Sequence, residues 1–197
     1  MKNALKIYLF LCIIVLIGCN SDDDSSQTNN LVSEFKINNG KTYLTPNGYY
    51  TKYEIEGKKD NFLLHFIDGK FVPITNPEEG IPCPWVENMT QGITIKLKSI
   101  LDDEIAPGLY KYTLERDSTG IKDDAGVYSP SKVFYGFQLD NQCYSQTDED
   151  LNITDGEMTI NVDNGEFSIT YSFTSENGVT IKGAYYGKLQ KQLAPEW

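Results

Sequence analysis

The sequence predicts an all-β fold: an antiparallel β-sandwich, immunoglobulin-like or related, with a barrel as the alternative. Three observations carry that expectation. Apolar residues after Leu31 alternate with a period of two, as in strands that cover one face. The triplets Asp163, Asn164, Gly165 and Glu176, Asn177, Gly178 stand between such runs and supply the positive φ angles of hairpin turns. No window long enough for a helix carries a capped apolar stripe of 3.6-residue period.

Taken in order, the strands expected are Glu34 to Asn38, Tyr49 to Glu56, Asn61 to Ile67, Ile93 to Ile100, Leu109 to Glu115 and Val133 to Asp140. The run Phe62 to Ile67 is nearly continuous in apolar residues, which suits a central strand covered on both faces. Pro73 to Gln91 and Ile121 to Ser131 are rich in Pro, Gly, Asn and Asp and read as loops. The clearest pattern closes the chain. Met158, Ile160 and Val162, then Phe167, Ile169, Tyr171 and Phe173, then Val179, Ile181, Gly183, Tyr185, Gly187 and Leu189 point one way. Ser168, Thr170, Ser172, Thr174, Thr180, Lys182 and Lys188 point the other, so these segments form a three-stranded meander with one wet face.

The first thirty residues are of a different kind. Lys2 and Lys6, the apolar stretch Ile7 to Ile17 and the small residue Gly18 are the parts of a cleaved export signal. That stretch is shorter than the roughly twenty apolar residues that cross a bilayer. Leu16, Ile17, Gly18, Cys19 resembles the bacterial lipoprotein signal, which implies removal of residues 1–18 and a lipid group on the Cys19 thiol. Residues 20–30 contain no apolar side chain and read as a flexible tether. The domain is then residues 31–197. The acidic cluster Asp22 to Asp24 resembles the export signal of Bacteroidetes surface lipoproteins, which implies display on the outer face of the outer membrane. Asp117, Ser118, Thr119 resembles a Bacteroidetes O-glycosylation motif.

Composition excludes some functions. Without Lys2 and Lys6, 15 basic residues face 28 acidic ones, a net charge of −13. Such a chain is a poor partner for nucleic acid or anionic lipid as a whole. Cys83 and Cys143 are left after the signal and Cys19 are set aside; in an oxidising compartment they either form a disulfide or remain two separate buried thiols. The one histidine, His65, reads as a partly buried strand residue hydrogen-bonded to a neighbour, and neither its surroundings nor the cysteine spacing suggests a metal site. Cys83 lies between Pro82 and Pro84, away from any helix N-terminus that would activate it. No phosphate-binding glycine loop is present, and no cofactor or metal is expected.

Carboxylates cluster at Asp102, Asp103, Glu104, at Asp123, Asp124 and at Asp148, Glu149, Asp150; they read as solvated loop charge, and no enzymatic activity is expected. Aromatic residues are the remaining signal. Flat rings give large contact area at low entropy cost, and Trp85, Tyr50 and Tyr186 are the candidate ligand contacts. Trp85 sits in a Pro-bounded loop, and Tyr50 and Tyr186 fall on the outward parity of their strands.

The early run Tyr43, Leu44, Thr45 to Gly48, Tyr49, Tyr50, the middle run Ala106 to Tyr112 and the closing run Gly156 to Leu189 resemble small Bacteroidetes surface lipoproteins of β-sandwich type. The resemblance transfers a fold and no activity. By analogy with relatives that stand beside polysaccharide-uptake systems, it implies a non-catalytic binding module for a glycan or a protein. The alternative is a structural, envelope-assembly lipoprotein subunit without a small ligand.

Overall fold

A computed structural model describes residues 31–55, 58–73, 85–113, 125–139 and 145–192, and all regular structure in them is β. The strands are β1 (Glu34–Ile37), β2 (Thr42–Leu44), β3 (Asn47–Ile55), β4 (Lys58–Ile67), β5 (Lys70–Phe71), β6 (Val86–Glu87), β7 (Gln91–Lys98) and β8 (Gly108–Thr113). There follow β9 (Gly126–Tyr135), β10 (Gln138–Leu139), β11 (Ser145–Gln146), β12 (Glu149–Asp163), β13 (Glu166–Ser175), β14 (Thr180–Gly187) and β15 (Gln190–Lys191). Eleven of them form one curled sheet in the order β15-β3-β4-β7-β9-β8-β12-β13-β14-β1-β2, a half-barrel whose two wings face each other. The sheet is mixed and not purely antiparallel, because β8 runs parallel to β9 and β15 parallel to β3.

The curl is built into β12. Its first residues, Glu149 to Asn152, pair with β9 in one wing, and Glu157 to Ile160 pair with β8 in the other. Between them the register against β13 slips at Ile153/Asp155, a bulge that lets a strand change wings at a corner. Gly156 completes the bend at φ 122°, where a side chain would stand 2.2 Å from the Ser172 carbonyl oxygen. The acidic run is therefore not all loop, as Glu149 and Asp150 open this strand. Likewise residues 126–131 belong to β9; Pro130 is accommodated with an exposed side chain beside a bulge at Thr94/Lys96.

The closing meander follows its pattern. Asn164 and Gly165 turn β12 into β13 with φ of 50° and 77°, and Gly178 turns β13 toward β14 with φ 71°. Ile169, Tyr171, Phe173, Ile181 and Tyr185 point into the space between the wings, where Phe35, Phe62, Leu64, Phe66, Ile93, Ile95, Leu97, Tyr110, Val133 and Met158 meet them. Phe66 stacks on Tyr185 at 4.7 Å and on Tyr171 at 6.2 Å, so a ring from one wing is held by two from the other. Burial of each such side chain stabilises the fold by about 1.5–3 kcal/mol. Tyr185 donates its hydroxyl to the Lys188 carbonyl at 2.8 Å, and Tyr110 donates to Ala106 at 2.8 Å. The Tyr171 hydroxyl, also buried, has no hydrogen-bond partner among the described residues.

Candidate functional site

A second apolar cluster lies on the opposite side of the β3-β4-β7-β9 wing. Alternation requires it: with Phe62, Leu64 and Phe66 turned toward the main core, Leu63, His65 and Ile67 must face outward. Tyr49 of β3 and Phe134 of β9 join Ile67 there. Strand β4 is thus covered on both faces, as its continuous apolar run predicts. The cover comes from the β5–β6 pair and the turn after β9, which bring Phe71, Trp85, Val86, Met89, Phe137 and Leu139 over the sheet.

Asp68 clamps this cover in place. Its carboxylate accepts the backbone N–H groups of Thr90 at 2.8 Å and Gln91 at 3.0 Å, together with the Thr90 hydroxyl. Asn47 Nδ2 donates to the Gly69 carbonyl at 2.8 Å and to that of Asp68 at 3.3 Å. Gly69 has no room for a side chain, since a Cβ would stand 2.5 Å from the Glu87 oxygen and the Met89 nitrogen. With the segment tied at both ends, Lys70 pairs with Glu87 and Phe71 with Val86, and Val72 N–H donates to Trp85 O at 3.0 Å.

The outcome is a connected set of rings. Trp85 stacks on Phe71 at 5.9 Å and 22° and meets the edge of Phe137 at 5.8 Å. Phe71 meets Tyr49 at 4.9 Å and His65 at 5.2 Å, both edge to face. Phe137 leans on Phe134 at 5.8 Å. Tyr49, Phe134 and Phe137 are buried, whereas Trp85 and Phe71 are half-exposed. The surface is a pair of open rings backed by closed ones. His65 is the hydrogen-bonded strand histidine expected, its Nδ1 3.1 Å from Thr94 Oγ1. Burial pushes its imidazole down to about 4, so it is uncharged at neutral pH. Burial also raises the Tyr49 phenol, opposed by a hydrogen bond from the Phe71 backbone. The rings and their backing therefore carry no formal charge.

Of the residues singled out from the sequence, Trp85 belongs to this surface and the others do not join it. Tyr50 is not outward-facing: its ring lies 6.2 Å from Phe62 and packs against the main core, because β3 is apolar on both faces and Tyr49 takes the outer one. Tyr186 does point outward, but from the other wing, with its N–H donating to Ser33 Oγ at 2.9 Å and its carbonyl accepting from that hydroxyl at 3.3 Å. Trp85 belongs to the cover of the β3-β4-β7-β9 wing and Tyr186 to β14, so they form no common surface among the contacts described. Cys19, Cys83 and Cys143 lie outside the described residues, as do Asp123, Asp124 and the motif at Asp117.

The acidic candidates at 102–104 and 148–150 are exposed, and several are already engaged. Asp103 pairs with Lys52, Asp150 with Lys132 at 2.8 Å, and Glu149 accepts the Tyr135 hydroxyl at 2.8 Å, which pushes that phenol up to about 12. Among the described residues no three of His, Cys, Asp or Glu are placed to hold a metal ion. Phe71 and Phe137, the ring partners of Trp85, and Tyr49 behind Phe71 were not among the residues singled out from the sequence. The available signal was the two-sided apolar character of β3 and β4, which demands a cover. No protein-family model, curated protein or solved structure matches this chain.

Proposed function

We propose that this chain is an exported lipoprotein, anchored through Cys19 to the outer membrane and facing the exterior, that acts as a non-catalytic binding module. Its ligand rests on Trp85 and Phe71. The observation that carries this reading is the stacked, half-exposed Trp85–Phe71 pair, fixed from behind by buried Tyr49 and Phe137. Rings held in place before a ligand arrives lose little entropy when it binds. An uncharged platform on a chain of strongly negative net charge suits a neutral ligand with a flat apolar face, of which a sugar ring is one and an aromatic or proline-rich protein segment another.

The test is a glycan array and a pull-down with the intact protein. Trp85→Ala is expected to weaken binding roughly thirtyfold, about 2 kcal/mol, as for a central aromatic contact. Phe71→Ala should follow it and Tyr186→Ala should leave binding unchanged. Equal binding by the Trp85 variant and the parent would remove the site.

A further inference from the structure

The domain has a second apolar feature, at the β1–β2 edge of the sheet, where the Leu44 carbonyl accepts from the Gln91 side chain at 3.0 Å beside the Asp68 clamp. Leu31 is 62% exposed, Val32 48% and Leu44 53%. They lie together at one corner. Glu34 of β1 pairs with both Leu44 of β2 and Ala184 of β14, and Ser33 is bonded to the Tyr186 backbone and, through its carbonyl, to Thr45 N–H at 2.9 Å. Tyr186 and Ala184 share the outward face of β14 with Lys182, and Lys182 pairs across the strands with Lys36. Both lysines are exposed; Glu34 balances one of them, 3.1 Å from Lys36 Nζ.

We propose that this corner, Leu31, Val32, Leu44 and Tyr186 with Lys36 and Lys182 beside it, seats on the lipid surface to which the chain is anchored. The inference rests on the Cys19 anchor of the preceding section and adds an orientation to it. What points to lipid is where the tether ends: residues 20–30, wholly polar, run directly into Leu31. From Cys19 to Leu31 the backbone reaches at most about 40 Å when fully extended, so the anchor keeps this corner within that distance of the headgroups. At that range the effective concentration is of millimolar order, and a contact of a few side chains suffices. The chemistry suits an interface. Aliphatic groups enter the acyl boundary, a tyrosine lies at headgroup level, and lysines reach phosphate.

The experiment uses the full chain with its acyl group, reconstituted in phosphatidylethanolamine–phosphatidylglycerol vesicles with or without brominated acyl chains. Leu44→Trp places a reporter at the exposed corner. Its added emission is expected to fall by roughly half in brominated vesicles, because an interfacial side chain sits within reach of the acyl boundary. Val32→Asp in the same background should restore the emission. A protein that floats with the vesicles yet shows no quenching at position 44 overturns the seat while leaving the anchor standing. If that protein also sediments as a dimer in detergent, and Val32→Asp returns it to monomer, the corner belongs to a second copy. A protein that does not float with vesicles removes the anchor, and the seat with it.

Discussion

The two apolar clusters of this domain are built from similar residues and held in different ways. The inner one is made by long strands facing each other, and its members are almost wholly removed from solvent. The outer one rests on the same sheet but is roofed by two-residue strands and a carboxylate clamp, which leave Trp85 and Phe71 half-open. The first has neighbours on every side and no choice of arrangement. The second has a fixed floor and an adaptable roof. Rigidity below and access above are what a binding surface needs, and only an irregular cover provides both.

Substitutions separate the two. Phe66→Ala removes the ring between Tyr171 and Tyr185 and should destabilise the whole domain by about 4 kcal/mol in denaturant unfolding. Acid acts through the outer cluster. Folded His65 stays neutral down to about pH 4, whereas the unfolded chain takes up its proton near pH 6.5. Above pH 6.5 neither state binds that proton and the contribution is constant. Between 6.5 and 4 the unfolded state gains it alone, so stability falls as pH falls, by up to about 3 kcal/mol from this group. Carboxylates add slopes of their own. The check is therefore the difference between parent and His65→Gln, measured at pH 7 and again at pH 4.5.

Asp68→Ala should act locally. Losing the clamp is expected to lower the opening free energy of residues 69–73 and 85–90 by about 2 kcal/mol in hydrogen exchange, while amides of β13 and β14 keep their protection. Ligand affinity should fall with it. The smallest effect has the opposite sign: Tyr171→Phe deletes a buried hydroxyl that has no partner among the described residues, and should stabilise the inner cluster by about 1 kcal/mol in thermal unfolding. Stability lost in that variant would mean that the hydroxyl is satisfied after all.

The same contrast explains what could be read from the sequence. The closing meander was legible because each of its strands has one wet face, so the period-two pattern states which way every side chain points. Phe167 to Phe173 and Ile181 to Tyr185 fall where that pattern places them. At β3 the signal fails, since Tyr49 and Tyr50 both meet apolar neighbours and parity alone does not say which faces out. The start of β12 was hidden by its acidic residues, which are exposed because they lie near the corner where β12 passes from one wing to the other. Trp85 stood out by residue type and by its loop. Its partners did not, because Tyr49, Phe71 and Phe137 are scattered along the chain and meet only through β-sheet pairings between distant residues.

One strand carries a consequence for the molecule as a whole. Because β12 begins in one wing and ends in the other, there is no seam along which the halves could part. Loosening either side pulls on the backbone of its counterpart, so heat should take the domain apart in a single step, and a change tolerated by one face must be tolerable to both.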